Sequence, residues 1–342
     1  MQRNNQTINY KFDQKTLTKA LLNHLDQIEN ACIRYEHEYA FVHTDTGVSA
    51  AEYSVNPIQN TCIAGLLGSI LQNILNSQAI HYPQNKWIYA RILRIQNYSK
   101  DYLLRHVRHG LVWNYYPIDT RARVPNDLDD TSLALYSLSS FINDVDIRSL
   151  CHKLIEQSAS TSTQGAHRIN TWLNHSSDLV WFHEDITVLA HFARLCNLHK
   201  ITHDPLISRI QYHIEQEKKS IFYVNNWWAL YALSDWLNDT ECLRKFYNSC
   251  ISKEKEAQGS IIRILCFLKL KQRGIMSEIN SRIVHDVYLR ITTPQKDRVH
   301  SNSIYYEKIT HTQLSIAHSP LIALAIETEI LFLWHINNQV VS

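Results

Sequence analysis

Residues Val124-Pro125-Asn126-Asp127-Leu128-Asp129-Asp130-Thr131-Ser132-Leu133-Ala134-Leu135 place three carboxylates within four positions. Pro125-Asn126 is a turn signal. Apolar residues recurring at 133, 135, 138 and 141 predict a helix that starts near Asp129 to Thr131. The carboxylates therefore fall at a helix N-terminus, where unpaired N–H groups and the macrodipole favour negative charge. The simpler account is structural: one aspartate caps the helix and the others decorate its first turn. The density of the cluster points further. Three close carboxylates cannot all ionise cheaply, so one is expected to keep its proton above the ordinary range. A carboxylic acid held neutral in an apolar cavity can protonate an alkene or an epoxide.

Other groups could serve such a centre. Arg121 and Arg123 share the loop and could clamp a diphosphate or carboxylate, or simply neutralise the turn. Trp113, Tyr115 and Tyr116 precede the turn, while Trp172, Trp181, Trp227 and Trp228 mark later helix starts. Their π faces could stabilise a carbocation or stack on a sugar, or they could be core packing. His183-Glu184-Asp185 and His191 fall on one predicted helix, and His183 is the candidate to hydrogen-bond and polarise the aspartates. No H-E-x-x-H is present and Cys151-His152 lacks a partner at ligand spacing, so no metal site is expected. Nucleotide loops and the G-x-S-x-G elbow are likewise absent from the sequence.

These residues need elements to hold them, and the pattern is helical from end to end. Gln14–Asn30 carries Leu17, Leu21, Leu22, Leu25 and Ile28 on one stripe. Pro57 is expected to open the next helix. Further helices are predicted over 86–97, 100–113, 130–142, 146–158, 179–198, 205–219, 226–237, 240–252, 258–272, 276–290 and 320–335. No segment reads as a strand, and the breaks at 43–56, 114–127, 159–177 and 292–312 are the longest connections. Seven Gly and seven Pro in 342 residues also argue against hairpin-rich folds. The helical rhythm continues across the linker-like stretch Ser158 to Gly165, which favours one domain over two.

Composition removes several classes. With 34 Lys+Arg against 32 Asp+Glu the formal charge is +2, and nothing calls for nucleic acid as a partner. Seven scattered cysteines without a C-x-x-C pair read as buried thiols in a reducing compartment. The start lacks an apolar core of signal-peptide length, and Leu321 to Trp334 is interrupted by Glu327 and Glu329 and is too short to span a bilayer. A cytoplasmic location without a transmembrane segment is the expectation.

Asp127-Leu128-Asp129-Asp130-Thr131 resembles the D-x-D-D-T motif of class II terpene cyclases and squalene–hopene cyclases, which are built from α/α toroids. Tyr223 to Leu233 and His318 to Ala325 resemble segments of the wider prenyltransferase/squalene-cyclase-repeat type. The resemblance implies an all-α fold: a single α/α-toroid domain of about six helix pairs over 1–342, with 1–12 a loosely ordered extension. It implies Asp129 as proton donor, with Asp127 and Asp130 tuning and orienting it. The substrate would be a small lipophilic isoprenoid, reached by transient membrane contact, with no cofactor unless a diphosphate brings magnesium. The Q-x-x-x-G-x-W repeats and a D-D-x-x-D motif are missing, and the length accommodates one toroid where class II cyclases use two. Two other readings therefore stand beside the cyclase. One is a glycoside hydrolase or lyase with paired carboxylates on the same scaffold. The other is a non-catalytic binding protein whose acidic turn only caps a helix.

Overall fold

The computed structural model describes residues 12–34, 40–46, 57–59, 61–115, 118, 125–161, 167–173, 183–223, 225–253, 261–276, 281–293, 303–308 and 314–340. Helices carry the fold, and they are of two kinds. Nearly every residue of α2 (Thr61–Asn76), α6 (Ile186–Leu198) and α10 (Ile261–Gln272) is buried. All of α4 (Leu128–Ser137) and α8 (Trp227–Ser234) is buried. A helix apolar on every side must be surrounded by protein. The alternate helices α1 (Gln14–Arg34), α3 (Lys86–Arg105), α5 (Asp144–Ser158) and α7 (Asp204–Glu215) each bury one stripe and leave the other face in water. On α3 the stripe is Ile88, Ile92, Ile95, Ser99 and Tyr102. Helices α9 (Thr240–Lys253), α11 (Ser281–Thr292) and α12 (Pro320–Val340) complete the chain.

The buried helices meet in order: α2 with α4, α4 with α6, α6 with α8, α8 with α10, α10 with α12, and α12 again with α2. The six form a closed ring. Cross-helix pairs fix their direction. A Cβ on Gly65 or Gly68 of α2 would meet Leu133 or Ser137 of α4, respectively. Asp129 and Tyr136 of α4 meet His191 and Arg194 of α6. Trp227 and Asp235, at the two ends of α8, meet Cys266 and Lys269 of α10. In each of these pairs both positions advance together, so α2 runs parallel to α4, α4 to α6 and α8 to α10. Ring closure joins distant parts of the chain, and His24 of α1 reaches Glu327 of α12 at 2.9 Å. One hydrophobic cluster runs from Leu17 to Trp334, as a single domain requires. Phe12 stacks on Tyr288 with ring centroids 4.3 Å apart, so the packed region already includes position 12.

Several expected elements are corrected. Pro57 begins a short strand, β2 (Pro57–Gln59), and α2 starts at Thr61. The predicted helices 86–97 and 100–113 are one helix, because nothing between them breaks the i→i−4 ladder before His106. Part of the long connections pairs as a four-stranded antiparallel sheet in the order β2-β1-β6-β5, with β1 (Ala40–Thr46), β5 (Ser303–Lys308) and β6 (Leu314–His318). A second pair joins β3 (Ala159–Thr161), inside the linker-like stretch, to β4 (His167–Ile169), just after it. Among the described residues no helix is long and apolar enough to cross a membrane.

Candidate active site

The acidic turn is formed as the sequence predicts. Asp127 has extended backbone and caps α4, its Oδ1 accepting from the Asp130 N–H at 2.7 Å. The turn is held from behind by backbone. Leu128 N–H donates to Thr171 O at 2.7 Å, and Leu173 N–H to Asn126 O at 2.9 Å. These bonds bring Trp172 opposite Asp127 as an isolated β-bridge. Thr131 contributes its hydroxyl oxygen, which accepts from the Trp113 N–H at 3.0 Å.

Capping alone does not describe the cluster, because all three carboxylates are inside: Asp127 and Asp130 are 4% exposed and Asp129 7%. Burial, reinforced by the neighbouring Asp130, holds the Asp127 carboxyl well above the usual carboxylate range. Burial likewise pushes Asp130 up to about 7, with the charge of Asp129 adding to the rise and hydrogen bonds from Asp127 and Cys62 opposing it. The Asp127–Asp130 pair therefore retains a proton close to neutrality. Asp130 Oδ2 is buried and has no hydrogen-bond partner in the protein.

Asp129 points toward the neighbouring helix α6. Its Oδ1 lies 2.8 Å from His191 Nδ1 of α6, and its Oδ2 accepts from the Tyr223 hydroxyl at 2.6 Å. The rings of His191 and Tyr223 meet edge to face at 5.7 Å, and His191 Nε2 has no partner in the protein. Tyr223 is delivered by an anchored loop. Asp185 caps α6 through Oδ1, while its Oδ2 accepts from Ser220 Oγ at 2.8 Å and from the Ile221 N–H at 2.5 Å. Ser220 Oγ in turn accepts from the Tyr223 N–H at 2.9 Å. Burial raises the Asp185 carboxyl despite these donors, and the charge of Asp129 adds to the rise. Glu184 next to it behaves oppositely. Burial acts to raise it, but His213, Arg209 and the Ile169 N–H bind its carboxylate and draw it down to about 2.

The expected partners divide. Trp113 and Trp172 contact the turn through backbone, and the Trp113 indole N–H is taken by Leu103 O at 2.9 Å. Trp228 lies 6.3 Å from the Tyr223 ring, one residue removed from the carboxylates. Trp227 packs on Tyr247 and serves the core. Tyr115 accepts the Thr61 N–H through its carbonyl at 3.1 Å. Tyr116, Trp181, Arg121 and Arg123 lie outside the described residues. His183 is not the polarising histidine. Its main chain joins Asn170 and Thr171 ahead of α6, and His191 takes the role instead. Among the described residues no group of three or more His, Cys, Asp and Glu has metal-holding geometry.

A second set of charges lies near the opposite ends of these helices: the buried Arg194 of α6, Lys269 of α10 and Glu329 of α12, joined by the more exposed Asp235 after α8. Sequence reasoning did not assemble it. Its signals are Lys269 and Glu329 inside apolar runs, where a charge requires a partner.

No protein-family model matches the chain, and no curated protein sequence matches it. A crystal structure of a protein from Actinoplanes is similar in fold, with a TM-score of 0.59 at 12% identity, covering 94% of this chain and 99% of that one. At that identity the likeness establishes a shared architecture, and this chain spans essentially the whole of that protein.

Proposed function

We propose that the chain is an enzyme of class II terpene cyclase type, in which the acidic turn protonates an isoprenoid and starts its cyclisation. One observation carries the reading: the three aspartates of the D-x-D-D-T motif are buried together, and the Asp127–Asp130 pair retains a proton near neutrality. Asp129 is the donor in this reading, held between His191 of the neighbouring α6 and Tyr223. Asp127 and Asp130 hold the proton that resupplies it. The closed ring of inner helices, most of them with an outer helix packed beside them, supports an α/α toroid, the scaffold that the motif implies. A lipophilic substrate would bring the protein transiently to a membrane surface, and magnesium would enter only with a diphosphate.

The test is product analysis by gas chromatography and mass spectrometry. Full-length protein is incubated with squalene, oxidosqualene, and geranylgeranyl diphosphate with and without magnesium. A cyclic hydrocarbon or alcohol is expected from at least one of them. Asp129→Asn should reduce its formation by about 10²–10⁴-fold, the usual contribution of a positioned general acid. Folded protein that converts none of these substrates, or an Asp129→Asn variant that keeps full activity, overturns the reading. A second reading, ligand binding without chemistry, is supported by a cavity at the far end of the ring.

A further inference from the structure

A cavity of about 320 Å³ opens where α2, α4, α6, α8 and α10 end. It lies seven residues along α4 from Asp129, about 10 Å at 1.5 Å per residue, so it is separate from the acidic turn. Its floor carries three buried charges, Arg194, Lys269 and Glu329, with Asp235 at its more exposed side. Lys269 Nζ donates to Asp235 Oδ1 at 2.5 Å and to Glu329 Oε1 at 2.7 Å. Glu329 Oε2 accepts from the Tyr231 hydroxyl at 2.7 Å. Arg194 lies over the Tyr136 ring at 4.2 Å and donates to Ser69 Oγ at 2.6 Å. Its Nη1 stands 3.8 Å from Asp235 Oδ2, and its Nε has no hydrogen-bond partner in the protein.

We infer that this cavity binds a small, neutral, hydroxyl-rich molecule of monosaccharide or cyclitol size. Three features select that chemistry. The first is charge balance. Two cations and two carboxylates face the cavity, so an ion of either sign finds no excess of the opposite charge to offset its desolvation. The second is the mixture of donors and acceptors. Asp235 Oδ2 accepts, the Trp236 indole N–H is buried without a partner in the protein, and the exposed rim carries the amides of Asn197 and Gln272. A hydroxyl both donates and accepts, and it matches such a wall better than a purely anionic or cationic group does. The third is size. The volume sits at the small end of ligand sites, which run from about 300 to 1,000 Å³.

The same geometry argues for binding rather than hydrolysis. Glycoside cleavage needs two carboxylates facing each other across the bond. Here both are drawn onto one ammonium instead of facing each other across an open cleft.

The experiment is saturation-transfer NMR followed by titration on the full chain. The probes are D-glucose, D-galactose, D-mannose and myo-inositol, with inorganic phosphate and glycine as charged counter-probes. At least one of the four neutral probes is expected to bind and to outcompete both charged ones. Gln272→Ala, on the exposed rim, and Asp235→Asn should each weaken it about tenfold, the effect of one lost hydrogen bond. Circular dichroism confirms that each variant is folded, and Gln272→Ala keeps the test valid if Asp235→Asn perturbs the Lys269 contacts. The inference is overturned if none of the four probes binds, if phosphate or glycine binds more tightly, or if a folded Gln272→Ala variant binds as the parent does.

Discussion

Asp129 Oδ1 and His191 Nδ1 lie 2.8 Å apart across the α4–α6 interface, joining residues 62 positions apart in sequence. With Tyr223 on the other oxygen, the carboxyl is fixed in both position and orientation. His191→Ala leaves a buried oxygen without its partner, and it should cost about 1–3 kcal/mol of stability in urea denaturation. In a double-mutant cycle with Asp129→Asn the pair should show about 0.5–3 kcal/mol of coupling. Simple additivity of the two single variants would show that the contact carries no energy.

The acidic turn also makes stability depend on pH in a defined direction. Asp130 titrates at about 7 in the folded protein and near 3.9 when unfolded, and Asp127 is raised as well. Between these values the native state binds more protons than the unfolded one, so this contribution to stability falls as pH rises from about 4 to 7. Replacing both residues, as Asp127→Asn with Asp130→Asn, keeps a capping side chain and should flatten that decline in thermal melts. An unchanged slope would place the titrating groups elsewhere.

Glu184 gives the opposite limb. Its folded value, about 2, lies below the unfolded one, so its contribution is present above about 4.5 and is lost as pH falls through 2. Glu184→Gln should shift the onset of acid unfolding to higher pH. Because Arg209, His213 and the Ile169 N–H all lose their carboxylate, it should also loosen the β4–α7 contact. Acid-unfolding curves identical to the parent's would contradict this.

Gly68 sets the closest approach in the ring. A Cβ there would collide with Ser137 Oγ and come within 2.7 Å of Ser137 Cβ. Gly68→Ala gains up to about 1 kcal/mol of helix propensity, but overpacking costs about 1–3 kcal/mol and should win. The expected result is a lower melting temperature, relieved by Ser137→Gly. A variant more stable than the parent would mean that α2 and α4 can separate freely.

Lys269 stands between two carboxylates, and Lys269→Met removes the only cation bonded to both among the described residues. Breaking a buried pair this way costs about 3–5 kcal/mol. Adding Glu329→Gln should recover part of it, since the neutral amide no longer repels Asp235. A single variant as stable as the parent would show that the carboxylates are neutral or solvated without Lys269.

The helices were legible wherever burial produces periodicity, and the N-terminus of α4 was legible because Pro125-Asn126 and an aspartate cap are local signals. The inner and outer kinds were also encoded. WWALYALS of α8 is apolar all round, while α3 alternates its stripe with charge. What did not show was which distant side chains converge. Nothing local in Ala190-His191-Phe192 points to Asp129, and Tyr223 reads as an aromatic before a helix until Asp185 and Ser220 are seen to hold its loop. The sheet escaped because β2 is only three residues long and the pairing at its centre, β1 with β6, joins segments from nearly opposite ends of the sequence.

Ring closure also sets the order in which the protein can be completed. Helices α1 and α2 are made well before α12, yet α1 is bonded to α12 through His24–Glu327 and Gln14–His335, over 303 and 321 positions. At about 5–20 residues per second a ribosome needs tens of seconds to travel that far. For all that time the faces of α1 and α2 that α12 will cover have no native cover. The loop entropy of bringing the ends together is lost only at the last step. The final helix thus acts as the latch of the molecule, and the emerging chain is most exposed to aggregation, and most in need of chaperone protection, just before that helix arrives.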